Sequence, residues 1–186
     1  MVWCRAAGPS RAAITWSTSE KGEWNALPPV HCLESSDFTA RAGLSGLPAG
    51  QTILYRVQLE PLDGSAQSEP VRGMFRTPPA SGNVRFLWSA DTVGQGWGIN
   101  EEIGGMRIYE AMRGRQPHFF IHSGDTIYAD GPLVESANLP QGGVWKNIVT
   151  PEKSKVAETL DEFRGNYRYN LLDKNVQRFN SEVAQV

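Results

Sequence analysis

The stretch Phe119–Asp130, FFIHSGDTIYAD, has the pattern of a buried strand that runs into a polar loop. In open α/β sheets, ligands bind at the carboxyl ends of the strands. Gly124 allows the backbone to turn tightly, and Asp125 offers a hard oxygen donor at that position. The stretch therefore predicts a ligand-binding turn, although a Gly-Asp pair is also compatible with a plain turn.

A second strand with a polar exit precedes this stretch. Val84–Trp88 is predicted to be a buried strand, and Ser89-Ala90-Asp91-Thr92 follows it. Between the two strands we expect a helix that Asn100 caps and that ends near Arg113-Gly114. The apolar face of this helix is predicted to carry Ile103, Met106, Tyr109 and Met112. Such a strand–helix–strand unit makes its two strands parallel.

Asp91 and Asp125 follow the two parallel strands, so we expect both carboxylates at the same rim of the sheet. Two close carboxylates repel each other unless a cation neutralises them. The pattern therefore favours a metal site, and Asp125 is placed to bridge two ions as in two-metal hydrolases. The alternative is that Asp91 caps a loop and Asp125 caps a turn.

The N-terminal part, residues 1–79, is predicted to be all-β. Residues 52–59 alternate apolar and polar side chains, as a strand buried on one face does. About five short strands can be counted, with turn residues between them, which indicates a β-sandwich. Thr77–Asn83 is rich in proline and small polar residues and is interpreted as a linker, so the second domain is predicted to cover residues 80–186.

Two further helices are predicted after the loop. Thr150-Pro151-Glu152 has the pattern of a helix start. Two sets of residues recur at helical spacing and are expected to be core: Val156, Leu160, Phe163 and Tyr167, then Leu172, Val176, Phe179 and Val183.

The composition gives no indication of several classes of partner. The chain has 186 residues and a net charge of −2, which gives no reason to expect nucleic acid or an anionic membrane as partner. No apolar run is long enough to span a bilayer, and no signal peptide is visible. The glycine-rich stretch 94–98 has neither phosphate-loop pattern, which makes a nucleotide-binding domain a weak alternative. Cys4 and Cys32 could pair or remain as free buried thiols.

Three motifs resemble one enzyme family. Trp88–Gly98 (WSADTVGQGWG), Ile121–Tyr128 (IHSGDTIY) and Phe163–Tyr169 (FRGNYRY) are similar to the alkaline phosphatase D, or PhoD-like, family of calcineurin-like metallophosphoesterases. In addition, Gly46–Gly50 (GLPAG) followed by Tyr55-Arg56-Val57 resembles a passage of fibronectin type III-like domains. The resemblance implies an α/β fold: an incomplete metallophosphoesterase βαβ core preceded by a small fibronectin type III-like β-sandwich.

The resemblance also implies a set of site residues. Asp91 matches the first metal ligand, Asp125 the bridging ligand, and Tyr128 the tyrosinate that binds a ferric ion. The implied cofactors are Fe³⁺ and Ca²⁺. His122 and Asp130 flank these ligands and are interpreted as supporting them or facing the substrate.

The function that follows is hydrolysis of phosphate mono- or diesters at a binuclear metal site. The family's downstream acidic and histidine ligand motifs are absent, so the chain looks like a fragment truncated at both ends and inactive alone. The resemblance implies a periplasmic or secreted full-length protein. The alternative is a non-catalytic β-sandwich interaction module with a structural α/β remnant.

Overall fold

The computed structural model describes residues 1–186, which form two compact units, Met1–Val84 and Arg85–Val186. The first unit contains only strands and one short 3₁₀ turn, whereas the second combines strands with helices. None of the helices has both the length and the apolar character required to cross a membrane.

Seven strands build the first unit in two sheets. They are β1 Val2–Arg5, β2 Ser10–Ser17, β3 Asn25–Ala26, β4 Val30–Cys32, β5 Thr39–Ala42, β6 Thr52–Pro61 and β7 Val71–Arg76. β1 and β5 form an antiparallel pair, and the other five strands form a sheet in the order β3-β2-β6-β7, with β4 also paired to β2. The sequence led us to expect about five strands, because β3 and β4 are too short to show an alternation of side chains.

The alternation predicted for residues 52–59 is confirmed by β6. Ile53 and Val57 are buried, and Val57 lies opposite Ile14 of β2 in the antiparallel register. Residues of both sheets share one core, whose members are Val2, Ala6, Ala12, Ile14, Cys32, Ala40, Ala42 and Val57. A shared core between two sheets is the defining feature of a sandwich, while the fibronectin type III-like class stays a prediction.

The second unit is built around a small parallel sheet. Its strands are β8 Phe86–Ser89, β9 Phe119–His122, β10 Ser136–Asn138, β11 Val144–Lys146 and β12 Ala184–Gln185, and its helices are α1 Arg107–Arg113, α2 Leu160–Asn170 and α3 Lys174–Glu182. β9 lies between β8 and β12 and is parallel to both. β10 and β11 form a separate antiparallel pair. The predicted parallel pairing of the strands before and after the helix is therefore confirmed.

One face of this sheet carries the core. Phe120 of β9 contacts Phe179 of α3, which also contacts Tyr109 of α1, and both ring pairs are edge-on at 5.3 Å between centroids. The opposite face is largely exposed: Trp88 is 70% exposed, and Phe86 stacks on Phe119. The sheet is thus covered by helices on one side only.

The predicted helix after Asn100 is broken near its start. Asn100 accepts a hydrogen bond from the Glu102 backbone N–H, as expected for a cap, but the turn it caps is a 3₁₀ turn of three residues. Gly104 and Gly105 then both adopt positive φ, and α1 begins only at Arg107. Two consecutive left-handed residues cannot continue a right-handed helix, so Ile103 lies outside the apolar face and is exposed.

The prediction for the helix after Thr150 was wrong in two respects. Residues 151–153 form only a 3₁₀ turn, and α2 starts at Leu160 behind the cap residue Thr159. The expected core residues Val156, Leu160, Phe163, Tyr167 and Leu172 are exposed. α2 instead buries Gly165, Asn166, Tyr169 and Asn170. Polar side chains occupy this inward face because they form hydrogen bonds to the backbone of neighbouring loops. In α3, Val176 and Phe179 are core as predicted.

The start of α2 gives a prediction about acid stability. The Glu162 carboxylate accepts hydrogen bonds from the backbone N–H groups of Glu158 and Thr159 and pairs with Lys155. The Lys155 ammonium, followed by these N–H groups, lowers the pKa of Glu162 to about 2. Because the pKa in the folded chain lies below the ordinary value of 4.5, the ionised form stabilises the fold above that value. This contribution should be lost as the pH falls from about 4.5 to about 2.

We therefore expect Glu162→Gln to lower the melting temperature most at neutral pH, with a difference from wild type that shrinks as the pH falls through that window. Circular dichroism of helix melting at a series of pH values measures this difference in melting temperature. Asp161→Asn removes an exposed carboxylate from the same helical turn and serves as the control. If the difference in melting temperature between wild type and Glu162→Gln stays constant with pH, the ionised carboxylate is not the source of the stabilisation.

Candidate metal centre

The pairing of β8 with β9 continues beyond the ends of both strands. The Ser123 N–H donates to the Ser89 carbonyl at 2.9 Å, and the Asp91 N–H donates to the Gly124 carbonyl at 3.1 Å. The Thr92 N–H then donates to the Asp125 carbonyl, also at 3.1 Å. These bonds hold the two exit loops side by side at one rim of the sheet.

Both predicted aspartates have an unusual backbone conformation. Asp91 has a φ of 56° and Asp125 a φ of 53°, in the left-handed region that residues with a side chain rarely adopt. Gly124, directly before Asp125, also has positive φ, at 104°. Backbone strain of this kind is found preferentially at functional sites.

The third predicted ligand lies against the two carboxylates. The Tyr128 hydroxyl donates a hydrogen bond to Asp125 Oδ2 at 3.0 Å and also interacts with the Asp91 carboxylate. The hydrogen bond to Asp125, partial burial and the negative charge of both aspartates raise the pKa of Tyr128 to about 12. The structure therefore brings Asp91, Asp125 and Tyr128 together, as the sequence predicted.

The two flanking residues face other groups. His122 Nε2 lies 3.2 Å from the Thr92 hydroxyl, and its ring packs edge-on against Phe120. The Asp130 carboxylate accepts a hydrogen bond from Gln95 Nε2 at 3.0 Å. Both residues thus contact the loop after β8: His122, at the end of β9, contacts Thr92, and Asp130, in the loop after β9, contacts Gln95.

A buried lysine that sequence reasoning missed supports the loop after β9. Lys153 is only 7% exposed, and its ammonium donates to the Tyr128 carbonyl at 2.7 Å and to Asn166 Oδ1 at 3.0 Å. Asn170 of α2 donates to the Thr126 carbonyl at 2.6 Å. Burial lowers the pKa of Lys153, against the opposing effect of the Asp130 carboxylate. A lysine in a polar stretch carries no sequence signal of burial, so the pattern could not reveal it.

Two of the sequence motifs, the one that ends at Gly98 and the one in α2, are in contact. Tyr169 of α2 accepts a hydrogen bond from the Ile99 N–H and donates one to the Ile148 carbonyl, both at 2.8 Å. A side chain at position 98 would collide with the Tyr169 hydroxyl and with Leu133. Gly98 is therefore required for the close approach of the glycine-rich loop to α2.

A cavity of about 340 Å³ opens next to Tyr128. Its lining residues are Val93, Gly94, Gln95, Gly96, Trp97, Tyr128, Gly131, Pro132, Leu133 and Lys153. Trp97 forms one aromatic wall and is held edge-on by Trp145. The cavity is large enough for a small organic group, and the polar side chains among its lining residues are Gln95, Tyr128 and Lys153.

A comparison with protein families decides the class of this chain. A model of the PhoD-like phosphatases matches residues 86–186, more than half of the 186 residues. The chain belongs to the PhoD-like phosphatase family. The resemblance found in the sequence is thus confirmed, and the matched region begins at the first residue of β8.

The fold of this family member is also similar to a solved structure described as "Structure of PhoD". The match has a TM-score of 0.70 at 18% sequence identity and covers 99% of this chain and 34% of that chain. The chain therefore spans about a third of the length of that structure. No curated protein matches the chain.

The donor set of the PhoD-like unit fits a hard metal ion. Two carboxylates and a phenol are oxygen donors of the kind that such cations prefer. No group of three or more His, Cys, Asp or Glu side chains is placed to hold a metal ion, and here the third donor is a tyrosine. Because the groups facing the Tyr128 hydroxyl are both anionic, a cation would relieve their repulsion.

The Lys153 contacts give a second prediction. In Lys153→Met the Tyr128 carbonyl and the Asn166 side chain each lose their ammonium donor. Leaving buried acceptors unpaired costs about 1–3 kcal/mol, so we expect the free energy of unfolding to fall by about 2 kcal/mol. Urea unfolding, monitored by tryptophan fluorescence, measures this change in the free energy of unfolding.

Lys146→Met is the matched control, since Lys146 makes an exposed ion pair with Glu102. Exposed pairs contribute about 0–1 kcal/mol. If Lys153→Met were no more destabilising than Lys146→Met, the supporting role of the buried ammonium would be wrong.

Proposed function

We propose that the second unit of this chain forms part of a metal-dependent site that hydrolyses phosphate esters, with Asp91, Asp125 and Tyr128 as metal ligands. The observation that carries the proposal is the convergence of three oxygen donors at the ends of two parallel strands. Family membership indicates the class of reaction.

Fe³⁺ and Ca²⁺ are the two ions that the family resemblance implies for a binuclear site, and Tyr128 would be a ligand of the Fe³⁺. A phenolate is a hard anionic donor that suits a trivalent ion, and carboxylates suit both ions. When bound, such a pair supplies Lewis-acid activation of the phosphoryl group and of a water molecule. The phenol must give up its proton to bind, and a nearby trivalent charge favours this loss.

The residues of this chain would position the donors. The bonds from Asp91 to Gly124 and from Thr92 to Asp125 fix the spacing of the two aspartates. Lys153 fixes the backbone of Tyr128. Preorganised donors of this kind bind a ligand without having to be ordered first.

The cavity beside Tyr128 is the proposed place for the organic group of the ester. It adjoins Tyr128, the same tyrosine that would hold a metal ion, so the organic group of an ester bound there would be close to the cavity. Trp97 offers an apolar wall, and Gln95 and Lys153 contribute polar side chains to the lining. His122 and Asp130 hold the surrounding loops in this arrangement.

The first unit carries no cluster of reactive side chains that this mechanism uses. We propose that it is a fibronectin type III-like spacer or binding module. The family resemblance also underlies the proposal that the full-length protein works in the periplasm or outside the cell.

Ligation by Tyr128 has a direct spectroscopic test. A tyrosinate bound to Fe³⁺ absorbs visible light by charge transfer, so we expect a coloured complex when the chain is mixed with Fe³⁺. Tyr128→Phe should abolish the colour, and Asp125→Ala should weaken it strongly. Tyr167→Phe and Asp161→Ala remove an exposed tyrosine and an exposed aspartate of α2 and should leave it unchanged. Full colour in Tyr128→Phe would refute this ligand assignment.

The number of donors leads to a prediction about turnover. Two ions require more ligands than the three donors found at this rim, since Ca²⁺ alone takes about 6–8 oxygens. We therefore expect this chain, supplied with Fe³⁺ and Ca²⁺, to hydrolyse p-nitrophenyl phosphate and bis-p-nitrophenyl phosphate slowly or not at all. Release of p-nitrophenol measures the rate of hydrolysis. Robust turnover that Asp125→Ala abolishes would mean that these donors suffice.

A further inference from the structure

The two cysteines lie on opposite sheets of the first unit. Cys4 is in β1 and pairs with Ala40 of β5, whereas Cys32 is in β4 and pairs with Ser10 of β2. They are separated by 28 positions in the sequence. No ladder of backbone hydrogen bonds joins β1 and β4, so any direct link between these strands must come from side chains.

The two thiols border the same core of the first unit. Cys32 is fully buried in the shared core, and Cys4 packs against that core from the other sheet. The two thiols lie close enough for each to influence the pKa of the other. A disulfide requires Cα atoms within about 7 Å of each other and side chains that point toward one another, and two strands on opposite sheets of one core can meet this requirement.

We propose that Cys4 and Cys32 are a disulfide-forming pair that links the two sheets of the first unit in an oxidising environment. A buried link between sheets is a known way to stabilise a small β-sandwich. The proposed disulfide involves only residues of the first unit, so its test is independent of the proposed hydrolase function.

The reaction can proceed with a low-molecular-weight disulfide as oxidant. The Cys4 thiolate attacks oxidised glutathione, forms a mixed disulfide and releases one glutathione. The Cys32 thiolate then attacks the Cys4 sulfur of the mixed disulfide and releases the second glutathione. The two protein thiols lose two electrons and two protons, which reappear in two molecules of reduced glutathione. Cys4 is the point of entry because it is the less buried of the two thiols.

Burial and the neighbouring Cys32 raise the pKa of Cys4 to about 11. Few thiolates are therefore present at neutral pH, and exchange in the folded chain is expected to be slow there and faster at alkaline pH. Refolding from urea with oxidised glutathione avoids this barrier, because both thiols are accessible while the chain folds.

The test compares the chain refolded with oxidised glutathione and the chain refolded with a reducing agent. We expect the oxidised chain to lose the mass of two hydrogen atoms, to show no free thiol after unfolding, and to remain monomeric on a non-reducing gel. Closing a loop of this length should raise the melting temperature on the order of 10 °C. A reducing agent should reverse the increase.

Three outcomes would overturn the proposal: two free thiols after oxidative refolding, a gain in mass from attached glutathione, or linked dimers. Cys4→Ala and Cys32→Ala each leave one thiol and should show no increase in melting temperature on oxidation. If either variant fails to fold, the mass and thiol content of the wild-type chain still decide the matter.

Discussion

The site depends on the parallel pairing of β8 with β9. Their register aligns Ser89 with His122, and hydrogen bonds continue this alignment through both exit loops. Because the pairing extends past the strands, the two aspartates are placed by backbone geometry and not by contacts of their own side chains. A shift of this register by one residue would separate Asp91 from Asp125 and turn the core residue Phe120 to the other face.

The loops above these strands are held by buried polar groups instead of apolar packing. Lys153, Asn166, Asn170 and Tyr169 all donate hydrogen bonds to backbone carbonyls of neighbouring segments. Irregular segments cannot satisfy their own carbonyls in the way that a helix or sheet does, so buried loops need side-chain partners. This requirement explains why α2 turns polar residues inward and leaves Leu160 and Phe163 exposed, even though its apolar periodicity suggests the reverse.

Sequence reasoning was most successful where a pattern has a local cause. The alternation of β6, the two strands with polar exits and the cap at Asn100 each follow from neighbouring residues. It was least successful where the cause is distant. Burial of Lys153 depends on Tyr128 and Asn166, which no local pattern links to it. The inward face of α2 depends on loops up to about 70 residues away. The break in the first helix also involves a distant residue, because the Asp173 carboxylate accepts a hydrogen bond from the Met106 N–H and lies against Gly105.

The geometry of the rim supports the proposed ligand site. Asp91 and Asp125 both occupy left-handed backbone positions, and unfavourable conformations of this kind cost about 1–3 kcal/mol each. Their charges repel, and the phenol that approaches them has its own ionisation suppressed. An aspartate tolerates a left-handed turn better than most residues, which would explain one such position as a plain turn. It does not explain why two of them share a rim with a tyrosine hydroxyl. Two left-handed aspartates and a tyrosine hydroxyl at one rim therefore support the proposed cation site, where a bound cation would offset the repulsion between the carboxylates.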